Sequence, residues 1–193
     1  MMRENIRRGN LSFREKILAL DYYLIFFILL LGIISCFAMF SSEQGKIGYF
    51  TQSHIYRFFT FFMFFIIISF INISLLYKFS YFFYFIVLAL LFAVDSFGIT
   101  SSGSKRWINL FFINIQPSEL MKVSLIAFLA RYYYKIPIEN VTNFKYIFVP
   151  IFALSIPVAL VAIQPDLGTA FLILFGGLAV IWLAGFRIKF FLY

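Results

Sequence analysis

Charge is scarce in this chain. Asp, Glu, Lys and Arg make up 12% of the 193 residues, against roughly 25% in an average soluble domain, which excludes an ordinary water-soluble globule. Cysteine occurs once, at Cys36, and histidine once, at His54. An internal disulfide is therefore excluded, and with His54 lacking Cys or His companions, so is a zinc site of the usual kind. Cys36 lies in an apolar run and reads as a small buried hydrophobe. A nucleotide-binding glycine loop, a metal box and a Ser/His/Asp arrangement are all missing. Nor is there a small-residue cleavage site behind the first apolar run, which reads as a retained helix rather than a signal peptide. What the chain has in quantity is apolar surface: 63% of its residues are hydrophobic and its mean hydropathy is +0.97. It is an integral membrane protein. The net charge of +8 forms no stripe that nucleic acid could follow; the charges fall between apolar runs, as positive-inside topology requires.

A bilayer core takes roughly 20 apolar residues as helix. Six stretches qualify, at about 21–40, 55–74, 79–98, 117–134, 147–164 and 168–186, joined by short connections. The expected fold is all-α, a single integral membrane domain over residues 1–193 preceded by a basic segment, 1–20. Arg3, Arg7, Arg8, Arg14 and Lys16 place the N-terminus in the cytoplasm. Alternation then puts Lys78, Arg131, Lys135, Lys145, Arg187 and Lys189 on the same side, leaving Lys46, Lys105 and Arg106 outside. The outer face carries the loops Ser41–Ser53 and Ile99–Gln116 and a tight connection, Gln164–Gly168. The second loop, TSSGSKRWINLFFINIQ, combines flexible Ser and Gly residues with a basic pair and Trp107. On composition alone it reads as an interfacial anchor, because Trp and Arg favour the headgroup layer.

Two helices open with the same dipeptide. Gln116-Pro117 puts proline where it removes no helical hydrogen bond, and Ser118 and Glu119 follow among the unpaired amides of the first turn, where the helix dipole favours the carboxylate. Lys122 lies about one turn deeper, where an unpaired ammonium costs roughly 2.5–3.5 kcal/mol at mid-membrane. Spacing of three predicts an ion pair with Glu119 that faces other helices or a hydrated cavity. Gln164-Pro165 repeats the device, with Asp166 in the acidic first-turn place and Gly168 and Thr169 allowing close approach of another backbone. Capped helices without a catalytic role explain the same residues. Arg57, near the outer end of the second span, either snorkels to the headgroups or answers a carboxylate. His54 is placed in the loop beside that span, and Asp95 at the hydrated interface. The aromatic third span, YFFYFIVLALLF, is packing or lipid-facing surface.

Taken together, three motifs carry a resemblance: GSKRWIN at residues 103–109, IQPSELMK at 115–122 continuing as VSLIAFLARYY, and IQPDLGTA at 163–170 followed by an apolar span ending LAGFR. In this order and at these places relative to the spans, the chain resembles the SEDS family of bacterial shape, elongation, division and sporulation proteins. It is most like the N-terminal half of RodA, toward which QPSELMK…ARYY and the Gln of QPDLGT tilt it rather than toward FtsW. The resemblance implies a multi-pass protein of the bacterial cytoplasmic membrane that polymerises lipid II into glycan strands, with a class B penicillin-binding protein as its partner. Arg106 and Lys105 would suit the substrate pyrophosphate, Trp107 a sugar or isoprenoid face, and Glu119 with Lys122 would fix the central cavity. Trp107, Glu119, Lys122 and Asp166 match family motif positions; Arg57 matches less securely. Gln116, Ser118, Gln164 and Thr169 complete the expected cavity set. A cofactor is not implied, although a divalent cation could arrive with the pyrophosphate.

Family members have about ten spans, and the carboxylate regarded as catalytic lies in a large external loop after the seventh. This sequence stops after the sixth expected span, and Asp166 is not that residue. The expectation is therefore a truncated RodA-like form with no polymerase activity alone. Two other classes compete with it: a non-catalytic membrane partner of a class B penicillin-binding protein, and a small proton-coupled transporter that uses Glu119, Lys122 and Asp166 as a relay.

Overall fold

The computed structural model describes residues 12–101, 104–110, 113–141 and 143–186. Of the cationic residues used above for orientation, Arg3, Arg7, Arg8, Lys189 and Arg187, the last residue of LAGFR, lie outside them, as does Gly103 of the first motif. The chain forms two compact units, residues 1–75 and 76–193.

The first unit holds a short helix, α1 (Phe13–Leu18), and a hairpin of α2 (Tyr22–Ser42) and α3 (Tyr49–Ser69). Ser12 and Glu15 close a capping box over α1. Lys16 Nζ donates to the Phe70 carbonyl at 2.6 Å, and Phe13 stacks on Phe70. The hairpin depends on a small residue: Gly32 is buried, and a Cβ there would run into the Phe58 ring. A groove of about 400 Å³, lined by residues such as Cys36, Phe40, Thr51 and Phe59, opens along the hairpin.

His54 is in α3, not in a loop: its Nε2 lies 2.9 Å from Ser35 Oγ. The helix starts six residues earlier than polarity suggests because its first turn has a remote cap. Gly48, the residue at the cap position, has no side chain to accept a hydrogen bond. The Glu43 carboxylate does so instead, from the N–H groups of Gly48, Phe50 and Thr51 at 3.1, 3.1 and 2.9 Å. A Cβ on Gly48 would crowd that carboxylate, so a larger residue there would have to displace the cap.

The second unit contains α4 (Ile73–Phe97, which begins at the close of the first unit), β1 (Ile99–Ser101), β2 (Ser104–Leu110), β3 (Ile113–Ile115), α5 (Pro117–Tyr134), a 3₁₀ turn (Ile138–Asn140), α6 (Phe144–Ile163) and α7 (Leu167–Leu183). The helices α5, α6 and α7 pack on one another. Val87, Leu91, Met121, Leu125, Leu129, Ile173 and Ile181 fill the core, each almost wholly buried. Gly177 lets α7 approach Leu154 and Leu125, the close packing on which helix association in a bilayer depends. At the end opposite the strands, Arg131 Nη1 donates to the Lys78 carbonyl at 2.6 Å, and its guanidinium lies 4.3 Å from the centre of the Tyr81 ring.

Among the described residues, four helices are long and apolar enough to cross a membrane: α2, α3, α4 and the Lys145–Ile163 part of α6. α7 is equally apolar but has 17 residues, and α5 carries Glu119, Lys122 and Arg131 within 18. The segment expected to be a flexible loop is a meander: β1 pairs antiparallel with β2 and β2 with β3. Its strands carry WINL and INI, β-favouring runs that the Ser and Gly residues beside them obscured.

Candidate functional site

The meander and the two Gln-Pro segments meet at one end of the second unit. β2 carries Lys105, Arg106 and Trp107, with Trp107 opposite Ile99 in the register. β3 leads directly into α5, whose cap position is Gln116 and whose first residue is Pro117. The third element is the turn between α6 and α7. Here the expected arrangement needs correction. Pro165 does not occupy the first helical position, and Asp166 is not in the first turn; Asp166 is the N-cap, its Oδ1 accepting from the Thr169 N–H at 3.3 Å. Gln164 closes α6 rather than opening α7, and its Nε2 donates to the Leu91 carbonyl at 3.2 Å. A side-chain oxygen one residue before the helix is the favoured way to satisfy its first amides, and Asp supplies it where Gln116 does not.

Asp166 is therefore a junction. Its Oδ2 accepts from Gln116 Nε2 at 3.1 Å and lies 3.8 Å from Arg106 Nη1, while Arg106 Nη2 donates to the Pro165 carbonyl at 2.6 Å. The Asp166 side chain is 13% exposed and that of Arg106 32%. One carboxylate thus links the strand, the start of α5 and the start of α7. Lys105 points elsewhere, its Nζ 3.5 Å from the Asp95 carbonyl at the end of α4, where Asp95 itself is exposed. Trp107 is half-buried and Ser118 buried.

Glu119 and Lys122 form the ion pair that their spacing predicts, Nζ to Oε2 at 2.8 Å, with side chains 55% and 27% exposed. It is an outward-facing pair, not one enclosed by the helices of this unit. Arg57 belongs to the first unit, where it is exposed on α3 and makes no ion pair with the described residues of that unit. No three Asp, Glu, His or Cys side chains come together among the described residues as a metal-binding group. The polar partners that residue spacing did not disclose are the Leu91 and Pro165 carbonyls and Glu43, all joined through contacts distant in sequence or across a turn.

Apolar helices bearing a charged meander and acid-capped turn at one end define a polytopic membrane protein with its polar chemistry at a helix-terminal face. Residues 16–193 match the family model described as cell cycle protein, FTSW_RODA_SPOVE, and the chain belongs to that family. It is 33% identical over 142 residues to the probable peptidoglycan glycosyltransferase FtsW of Buchnera aphidicola subsp. Baizongia pistaciae, an alignment covering 73% of this chain and 37% of that protein. With the peptidoglycan glycosyltransferase MrdB of Escherichia coli K12 the identity is 40% over 101 residues, 52% of this chain and 26% of the relative. The chain thus spans well under half the length of either. The structure of the Thermus thermophilus rod shape determining protein RodA shares the fold at a TM-score of 0.72 and 26% identity, covering 91% of this chain and 57% of that one. A chain of a peptidoglycan synthase complex that coordinates polymerization and crosslinking does so at 0.77 and 24% identity, covering 87% and 48%.

Proposed function

We propose that this chain supplies the lipid II-binding part of a RodA-like peptidoglycan glycosyltransferase in the bacterial cytoplasmic membrane. The observation that carries the proposal is the Asp166 junction, which fixes the Arg106 and Trp107 strand against two helix starts. Lipid II offers a diphosphate, a sugar and an isoprenoid tail. Lys105, exposed on β2, and Lys122, on α5, are the cations suited to the diphosphate; Trp107 suits a sugar or isoprenoid face. Arg106, already engaged by the Pro165 carbonyl and Asp166, serves mainly to hold the strand in place. The RodA-like rather than FtsW-like assignment rests on the QPSELMK…ARYY and QPDLGT motifs. A divalent cation would enter with the diphosphate as part of the substrate. The polymerising step itself is proposed only for a protein that also carries the external carboxylate expected for the family.

The test is binding of fluorescent lipid II to the chain in nanodiscs. Lys122→Met should weaken it about tenfold, equivalent to about 1.4 kcal/mol, and Lys105→Met by a smaller factor. Unchanged affinity in both variants would overturn the assignment.

A second reading is a membrane partner that docks a class B penicillin-binding protein without catalysing polymerisation. The fold shared with a chain of a peptidoglycan synthase complex favours it. Co-purification of such a protein with the chain, in the absence of lipid II binding, would select this reading over the first.

A further inference from the structure

Two prolines, Pro150 and Pro157, interrupt the interior of α6. Proline has no N–H, so the carbonyl four residues before each lacks its helical donor. Those carbonyls belong to Tyr146 and Ala153. In a membrane-spanning helix an orphaned carbonyl is costly unless another group reaches it. Both are reached, each by a tyrosine hydroxyl from a different helix: Tyr132 of α5 donates to the Tyr146 carbonyl at 2.9 Å, and Tyr84 of α4 donates to the Ala153 carbonyl at 2.8 Å. Tyr84 is 2% exposed, and its ring packs on Phe128 with centroids 4.6 Å apart. Two gaps are answered by two hydroxyls, and both prolines are fully buried.

A proline bends its helix, and a bend closed by a donor on a fixed neighbour has a defined direction. The far end of α6 is the Gln164–Asp166 turn, on which Arg106 and Gln116 converge. We infer that Tyr84 and Tyr132 are positioning residues: by supplying the hydrogen bonds that Pro157 and Pro150 remove, they fix the bends of α6 and so the place at which it presents the Asp166 turn. The inference rests on that turn being the functional end of the unit, but it requires no particular substrate.

Two readouts on the purified chain test it. In thermal unfolding, Tyr84→Phe should lower the midpoint by roughly 2–4 °C. The loss should disappear in a Pro157→Ala background, where the alanine N–H takes the carbonyl, and persist in Pro150→Ala. The Tyr132→Phe and Pro150→Ala pair should behave reciprocally, and it keeps the test open if Tyr84→Phe does not fold. Additive losses in both matched pairs would overturn the inference. The second readout is the distance between spin labels at Ala130→Cys and Ile163→Cys, both exposed positions, in a Cys36→Ser background. By helix rise the labels stand roughly 20 Å apart along the bundle. Tyr84→Phe should broaden this distance, and adding Pro157→Ala should restore the midpoint but leave the distance displaced, because the straightened helix ends elsewhere. Restoration of the midpoint with an unaltered distance throughout would reduce the tyrosines to a purely structural role and also overturn the proposal. Lipid II enters neither experiment, so failure here is distinguishable from failure of the substrate assignment.

Discussion

The two Gln-Pro segments begin alike and end differently. At Gln116-Pro117 the proline is the first residue of α5, the side chain at the cap position does not cap the helix amides, and the acidic residue Glu119 turns outward to Lys122. At Gln164-Pro165 the proline precedes the cap, and the acidic residue is itself the cap. A shift of one residue relative to the proline separates the roles: Glu119, two beyond its proline, pairs along the helix face, whereas Asp166, one beyond, faces the open amides and whatever lies across from them. What lies across is Gln116 of the other segment. The second segment is therefore structural, and it orders the first; the first keeps its charges in an outward-facing pair that a ligand can reach.

Removing the junction should have the largest effect. Asp166→Ala deletes a helix cap and leaves Gln116 and Arg106 without their shared acceptor, and the expected destabilisation is about 2–3 kcal/mol. Detergent-based unfolding measures it, and a loss no greater than that of Glu119→Ala would erase the distinction between the segments. Gln116→Ala removes one of the junction's hydrogen bonds and should cost about 1 kcal/mol. Combined with Asp166→Ala it should cost nothing further, since the bond is already gone.

The hairpin of the first unit offers a third way of opening a helix, and one that titrates. The Thr51 hydroxyl beside the Glu43 carboxylate, joined by the amides of Thr51, Phe50 and Gly48, holds its pKa below the ordinary value, with desolvation opposing them. The Thr51 amide makes the short bond; its hydroxyl makes no hydrogen bond of full geometry. A carboxyl whose folded pKa is depressed stabilises the protein above its unfolded pKa. That stability is lost as pH falls through the ordinary carboxylate range toward the folded pKa. The hairpin should accordingly soften in mild acid, and Glu43→Gln should remove this part of the pH dependence while lowering the midpoint at neutral pH. An unchanged pH profile in Glu43→Gln would mean that the remote cap contributes nothing.

The helices were legible in the sequence and their partners were not. Hydropathy located six long helices, four of which, among the described residues, have the length and composition that a bilayer imposes. It misplaced the start of α3 because Thr51, Gln52, Ser53 and His54 look like a loop unless Glu43, a turn away, is known to cap them. It missed the meander because Ser101, Ser104 and the glycine between them dominate a short window, while WINL and INI are too brief to show a strand period. Pro150 and Pro157 went unread in the sequence, and the donors that answer their orphaned carbonyls, Tyr132 and Tyr84, are a fact of helix packing. The Glu119–Lys122 pair was legible because it is local. The Asp166 junction was not, because Gln116 reaches Asp166 from 50 residues away and Arg106 reaches the adjoining Pro165 carbonyl from 59.

The smallest expected effect tests what surrounds the first segment. A solvated ion pair contributes about 0–1 kcal/mol, and the exposure of Glu119 and Lys122 assigns theirs to that range, provided that the face they occupy is wet. On a membrane-spanning helix, exposure can also be to lipid, where neither charge could be left alone. A double-mutant cycle of Glu119→Gln and Lys122→Met separates the two. A hydrated face predicts a coupling below about 1 kcal/mol that shrinks with added salt, because screening reaches a pair in water. A larger, salt-insensitive coupling would mean that the pair is sealed from water. Lys122 would then be committed to Glu119 and unavailable to a diphosphate, and the contrast with Asp166 would become one of degree.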